Sequence, residues 1–330
     1  MIHGVLNIYK EPGYTSHDVV AKLRGIVKQK KIGHTGTLDP AAEGVLPVCL
    51  GMGTKLCDLL ADHDKTYRAV LLLGKETDTQ DTTGRILCER EIGRLTPDEV
   101  RWAAERFVGE YQQIPPMYSA LKVGGKKLYE LARAGREIER KPRPVTIYEL
   151  TVENIDLPRA VLTVRCSKGT YIRTLCHDIG QALGCGGCME QLIRTRVGRF
   201  SAEEAFTLSR VQELAEAGRL AEAVISLDDM LDHYPAVVLE DPLLERLARN
   251  GNPLPGKESG LLPGKETGLL PDRETGPLPG AAGQTAKEEA AVSALRAVRI
   301  YDSGRRLIGL YEQESKGGRW MPKKMFLGGE

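Results

Sequence analysis

The sequence predicts an α+β protein: a large mixed or antiparallel sheet carrying helices, followed by a small β domain. Three observations carry this expectation. Strand-length apolar runs and amphipathic helical stretches are interspersed without the strict alternation of a doubly wound sheet. At 330 residues the chain exceeds the roughly 100–200 residues of one domain. Beyond about residue 235, helical spacing gives way to short strand signals around turn residues.

Taken in order, Val5–Ile8 reads as a short strand. Ser16 stands where an N-cap belongs, with Val19, Val20, Leu23, Ile26 and Val27 at helical spacing behind it. That helix is predicted to run into Lys28, Lys30 and Lys31 and to stop at Gly33. Val45–Leu50 and Tyr67–Leu73 are apolar runs of strand length. Thr96-Pro97-Asp98-Glu99 is a capping box with proline at the first helical position, opening a helix through about Val108. Ala160–Cys166 is a further strand and Thr170–Leu183 a further helix. The acidic stretch after Phe206 reads as helices ending near Tyr234-Pro235. Three tandem octapeptides follow, GKESGLLP (256–263), GKETGLLP (264–271) and DRETGPLP (272–279). Units this short, rich in Gly, Pro and charge, cannot build a packed repeat and are expected to form a flexible insertion. Ala297–Tyr301 and Arg306–Tyr311 then read as two strands around an Asp302-Ser303-Gly304 turn.

A hydrophobic content of 41% and a charged content of 28% are those of a soluble globular chain. No apolar run approaches the roughly 18 residues of a membrane span, and no export signal opens the chain, so the expected location is cytoplasmic. Seven cysteines at scattered positions read as reduced thiols. Cys185 and Cys188 form a C-x-x-C, but only Cys176 and His177 offer themselves as further zinc ligands, and no metal site is expected. The net charge of +1 conceals an asymmetry. Residues 122–143 carry eight Lys/Arg against three acids and residues 165–199 six against two, whereas residues 202–245 hold eleven acids and two bases. A polyanion responds to that local field rather than to the sum.

The densest punctuation is Gly33-His34-Thr35-Gly36-Thr37-Leu38-Asp39-Pro40, followed by Gly44-Val45-Leu46-Pro47. Two glycines three apart allow a tight turn and the approach of a large ligand. Pro40 biases Asp39 towards an extended conformation, which presents its carboxylate from a loop. The stretch lacks the G-K-[ST] ending of a phosphate-binding loop.

GHTGTLDPAAEGVLPVCLG (33–51) resembles the catalytic motif of the TruB family of tRNA pseudouridine synthases. GVLNIYKEPGYTSHDVV (4–20), KTYRAVLLLG (65–74), QIPPMYSALKVGGKKLYELARAGREIER (113–140), CSKGTYIRTLCHDIG (166–180) and LIRTRVG (192–198) resemble further blocks of that family, in the right order. The resemblance implies a pseudouridine synthase catalytic domain over residues 1–235, with an RNA-clasping insertion at 113–145. It implies a PUA-like RNA-binding domain over 236–330, interrupted at about 256–285. The implied reaction is isomerisation of uridine 55 in the tRNA T loop, with base flipping. In that reading Asp39 is the nucleophile, Arg173 its ionic partner, holding it charged, and Tyr67 the tyrosine that stacks on the base. His34 helps hold the flipped nucleotide, Tyr171 and Leu192 line the uridine pocket, and Lys10 gives structural support. Lys122, Lys126, Lys127 and Arg133 face phosphates, interleaved with Tyr118 and Tyr129. Lys316, Arg319, Lys323 and Lys324 belong to the C-terminal RNA-binding segment. The family needs no cofactor, and the implied partner is the T arm of tRNA, recognised by a monomer without an obligatory protein partner.

Three rivals are weaker. A glycosidase using Asp39 with Glu43 leaves the basic stretches unexplained. An RNA-binding module with a vestigial site does not account for intact Asp39, Tyr67 and Arg173. A guide-RNA-dependent synthase does not account for the 113–140 block.

Overall fold

Thr15, not Ser16, caps the first helix. Its side chain accepts from the Asp18 N–H while Asp18 reaches back to the Thr15 N–H, a reciprocal capping box. Ser16 is thereby the first helical residue, and its buried hydroxyl is free for another task. A computed structural model describes residues 1–256, 297–314 and 318–327. The octapeptides beyond Gly256, and Lys316, lie outside the described residues.

The chain divides into two compact units, the first mainly Leu6–Leu50 with Leu56–Val224, the second mainly Ile225 onward. The first begins with β1 (Gly4–Lys10), α1 (Ser16–Val27), β2 (Ile32–His34) and β3 (Glu43–Leu50). Then come α2 (Cys57–Ala61), β4 (Lys65–Leu73), and a hairpin of β5 (Lys75–Thr77) and β6 (Ile86–Glu89). α3 (Pro97–Glu105) and β7 (Gly109–Gln113) lead to a second hairpin, β8 (Lys122–Val123) with β9 (Lys126–Lys127), and to α4 (Leu128–Arg133). β10 (Arg143–Asp156), β11 (Arg159–Cys166), α5 (Ile172–Ala182), β12 (Gly187–Val197), β13 (Phe200–Ser201) and α6 (Leu208–Glu216) complete it. The main sheet runs β1-β3-β12-β4-β11-β10-β7. β12 pairs parallel with β3 and antiparallel with β4, and the remaining pairs out to β7 are antiparallel. This is the α+β layout expected. α1 ends at Val27 because Lys28 turns left-handed (φ 52), sooner than the lysine run suggested, and Ile32–His34 joins the sheet.

Strand alternation explains the two cores. Tyr67, Ala69, Leu71 and Leu73 of β4 face one cluster, covered by Val100, Ala103 and Ala104 of α3 and by Ile172, Leu175, Cys176 and Ile179 of α5. The α5 spacing of three, one and three residues is one helical face. Leu46, Val48 and Leu50 of β3 face the other cluster, covered by Val19, Val20 and Leu23 of α1 and by Leu208, Val211 and Leu214 of α6. Among the described residues no helix is long and apolar enough to cross a membrane.

The second unit contains α7 (Leu227–Met230), β15 (Ala236–Val238), α8 (Pro242–Arg249), β16 (Ala297–Tyr301), β17 (Leu307–Gln313) and β18 (Trp320–Met325), preceded by β14 (Val224–Ile225) at the unit boundary. Its sheet is β15-β16-β17-β18, with β15 parallel to β16 and the rest antiparallel. The expected turn between β16 and β17 is organised by Asp302, which accepts from the Arg306 N–H at 2.7 Å and pairs with Arg249 at 2.6 Å.

α5 approaches the start of β12 so closely that a Cβ on Gly180 would collide with the backbone nitrogen of Gly187. Gly180→Ala is therefore expected to destabilise the protein by about 3 kcal/mol, the upper range for overpacking, as measured by urea unfolding.

Candidate active site

The loop between β2 and β3 is fastened on both sides of Asp39. Arg194 donates to the carbonyls of Gly36 at 3.4 Å and Thr37 at 3.5 Å. The Ser16 hydroxyl accepts from the Leu38 N–H at 2.9 Å and donates to the Leu38 carbonyl at 3.4 Å. The Pro40 carbonyl accepts from the Gly13 N–H at 2.9 Å and the Lys10 ammonium at 3.2 Å. Leu38 and Ala42 are buried in the cluster beneath. What remains outward is the Asp39 side chain, 41% exposed. The tight glycine is not Gly33 or Gly36, neither of which has a positive φ, but Gly44 (φ 108). A Cβ there would collide with the Arg194 backbone where β3 meets β12.

Arg173, in the first turn of α5, is 6% exposed and meets Asp39 with two nitrogens, Nε at 3.0 Å from Oδ2 and Nη2 at 3.4 Å from Oδ1. This forked contact is the geometry for which guanidinium is suited. Its remaining hydrogens go to the carbonyls of Tyr118 (2.9 Å) and Thr79 (3.1 Å) and to Asp81 Oδ2 at 3.4 Å. Asp81 is held in turn: its Oδ1 accepts from the Thr79 hydroxyl at 2.8 Å and the Thr83 N–H at 3.0 Å.

Tyr67 and Leu192 lie on β4 and β12 in the same apolar cluster as Leu38, so sheet and loop pack together beneath Asp39. Tyr171 caps α5 just before Arg173, and the Gln113 side chain pins it by accepting from its N–H at 2.8 Å and donating to its carbonyl at 3.0 Å. His34, on β2, makes an edge contact with His17 at 5.3 Å between ring centroids. Its described partners are that ring, the charge of Arg194 and the Gly36 backbone in the Asp39 loop, not the Asp39–Arg173 pair. Lys122 and Lys126 are exposed on the short hairpin. Lys127 and Arg133 lie over the Tyr129 ring, each 5.3 Å from its centroid. In the second unit, Lys323 is paired with Glu312 at 3.2 Å.

The ionisation of these groups follows from their burial. The sequence reading expects Arg173 to hold Asp39 charged. The contact exists, yet partial burial raises the Asp39 carboxyl above its ordinary 3.8, with Arg173 and Lys10 opposing and Asp81 adding to the rise. Lys10 is fully buried, and desolvation pushes it down to about 8 although Asp39 and Glu43 oppose this. Burial raises the Tyr67 phenol against the opposing charge of Arg194. Burial lowers His34, with His17 and Arg194 acting in the same direction.

Sequence reasoning missed four residues of this arrangement: Ser16, Asp81, Gln113 and Arg194. Asp81 had a signal in the Thr/Asp-rich run Thr77–Thr83, a composition that favours self-bonded turns. Arg194 had one too, because period-two alternation puts it on the same strand face as Leu192, which lines the core.

Residues 24–172 match the family model described as TruB family pseudouridylate synthase (N terminal domain), and residues 173–234 match tRNA pseudouridylate synthase B C-terminal domain. The tRNA pseudouridine synthase B of Lachnoclostridium phytofermentans is 46% identical over 99% of this chain and 100% of its own length. That of Alkaliphilus oremlandii is 50% identical over 76% of this chain and 82% of its own. Among solved structures, an H/ACA RNP bound to a substrate RNA containing 2′-deoxyuridine aligns with a TM-score of 0.66 at 26% identity, covering 99% of this chain and 86% of that one. A Cbf5-Nop10-Gar1 complex aligns with a TM-score of 0.66 at 25% identity, covering 98% and 85%.

Because the folded-state Asp39 carboxyl is raised, its ionised form costs stability at neutral pH, and that cost is relieved as pH falls through the raised value. Carboxyl 13C NMR of aspartate-labelled protein is expected to show Asp39 titrating above 3.8. Asp81→Asn removes a charge that raises it and frees Arg173 to pair with Asp39 alone, so the midpoint should fall. A rise would contradict this electrostatic assignment.

Proposed function

The chain belongs to the TruB family of tRNA pseudouridine synthases, and from that premise we propose that it modifies uridine 55 of the T loop with Asp39 as nucleophile. The conversion of uridine to pseudouridine in tRNA breaks the N1–C1′ bond, turns the base, and joins C5 to C1′. C5 loses a proton and N1 gains one, so the net change is an isomerisation that calls for no redox group or group donor. The reading rests on one observation above the others: a half-exposed carboxylate held in a forked contact by a nearly sealed guanidinium. Asp39 is thereby aimed and kept from rotating, ready to bond C1′ as the base departs.

The other roles follow from position. The flipped uridine lies against Tyr67, Tyr171 and Leu192, with His34 at the side of the pocket, because a base inside a stack cannot reach a nucleophile. Lys122, Lys126, Lys127 and Arg133 meet the phosphates of the T arm, while unstacked loop bases supply the specificity. Tyr118, whose carbonyl accepts from Arg173, lies in this same 113–145 insertion and links it to the reacting pair. One solved relative is an H/ACA RNP bound to a substrate RNA and another a Cbf5-Nop10-Gar1 complex. Here the basic hairpin supports direct recognition of tRNA, and the chain is read as a cytoplasmic monomer without an obligatory protein partner. The C-terminal unit is read as a PUA-like domain that adds RNA contacts through Arg319, Lys323 and Lys324.

Asp39→Asn keeps the shape of the side chain but removes the nucleophile. Pseudouridine formation on unmodified tRNA transcript is expected to fall to background, with tRNA affinity within a few-fold of the parent. Measurable turnover by a pure preparation of the variant would overturn the assignment.

Joint neutralisation of Lys126, Lys127 and Arg133 is expected to flatten the slope of log affinity against log salt by roughly 0.7–0.9 per lost phosphate contact. Turnover at saturating RNA should survive. Replacement of Arg210 and Arg219, in the acidic stretch, serves as the control, and an unchanged slope in the triple variant would remove the hairpin from the RNA path.

A further inference from the structure

Arg194 is among the largest fully buried side chains of the protein, and its residue is 2% exposed. No carboxylate pairs with it among the described residues. Its guanidinium is held instead by neutral oxygens: Nε donates to the Val45 carbonyl at 2.7 Å, and the terminal nitrogens to those of Thr37 and Gly36. A buried guanidinium without a counter-charge is costly, and a leucine or methionine of similar volume would fill the space without that cost. The arrangement therefore asks for a use of the charge itself.

The sheet register indicates where that charge acts. Arg194 of β12 is the direct cross-strand partner of Tyr67 of β4. Directly opposed residues of an antiparallel pair keep their side chains within contact range. Guanidinium has only donors, so a phenol oxygen facing it must accept. The phenol hydrogen is then turned away from Arg194 and is available to the pocket. Consistent with this contact, Arg194 opposes the upward drive that burial exerts on the Tyr67 phenol.

We propose that Arg194 is a positioning residue of the reaction: it orients the Tyr67 hydroxyl as a hydrogen-bond donor to the departing base while tying the Asp39 loop to β3. This rests on the reading of Tyr67 and Asp39 given above. As an Asp39 oxygen bonds C1′, the N1–C1′ electron pair leaves with the uracil ring, which becomes an anion. A donor fixed before that moment stabilises the anion without reorganising, and the cation behind the phenol strengthens the donor. No proton leaves Tyr67 in this step. When C5 then bonds C1′, the carboxylate is released, C5 later loses its proton and N1 gains one.

The test is a double-mutant cycle on single-turnover rates at saturating enzyme, with unmodified tRNA transcript as the probe. Arg194→Lys and Arg194→Gln are each combined with Tyr67→Phe, and folding is checked by thermal melting. With Tyr67 intact, each Arg194 variant should slow the reaction roughly 100-fold, the scale of losing one preorganised donor. In the Tyr67→Phe background the further loss should be at least about tenfold smaller, the remainder reporting the bonds to the Asp39 loop, and tRNA affinity should stay within about threefold throughout. Equal losses in both backgrounds would overturn the proposal. Failure of both Arg194 variants to fold beside a stable Tyr67→Phe would overturn it too, since the guanidinium would then be a structural cross-link. A parental protein without turnover, or a Tyr67→Phe variant with undiminished rate, would instead count against the site reading on which the proposal rests.

Discussion

A guanidinium nearly sealed from water, as at Arg173, persists only where every hydrogen is taken up. That requirement organises the site. Meeting it draws together the Asp39 loop, the Thr79–Asp81 turn and the Tyr118 carbonyl of the basic insertion, three segments far apart in sequence. Arg173 itself is fixed because α5 is buried along one face and clamped at its start by Gln113. Removing one partner of such a set leaves a buried charge unpaired, which is why each of the three segments is constrained by the other two.

The central strands of the sheet supply the second half of the arrangement. β12 lies between β3 and β4, so one strand touches both the entry of the Asp39 loop into the sheet and Tyr67. Leu192 adds apolar surface and Arg194 adds fixed charge from the same face. The carboxylate and the phenol are both biased towards their neutral forms by burial, and the two arginines oppose that bias. The site thus sets low dielectric against nearby cations, a balance that tunes ionisation.

Much of the scaffold is legible in the sequence because it is encoded locally. The Thr96–Glu99 capping box, the alternation in Tyr67–Leu73 and the Asp302 turn depend on neighbours within a few residues. The first helix shows the limit of this. Thr15 and Ser16 are both good caps, and only the Asp18 contact with Thr15 and the Leu38 contact with Ser16 separate their roles. The glycine- and proline-flanked loop marks Asp39 as a carboxylate presented from a turn, but its role, like that of Arg173 across 134 residues, is implied only by the family resemblance. Arg194, with bonds across 149 to 158 residues, and Asp81, 92 residues from Arg173, left only faint local signals. Which of two buried arginines meets a carboxylate is decided by how α5 and β12 are placed against the Asp39 loop, and that placement is not a local property.

The central claim is that this loop, helix and sheet deliver one carboxylate to one uridine of the T loop. The most direct measurement incubates the purified protein with an unmodified tRNA transcript, without other proteins or RNA, and maps pseudouridine at nucleotide resolution. A single pseudouridine at position 55 is the expected result. No pseudouridine, or pseudouridine at another position, would contradict the account.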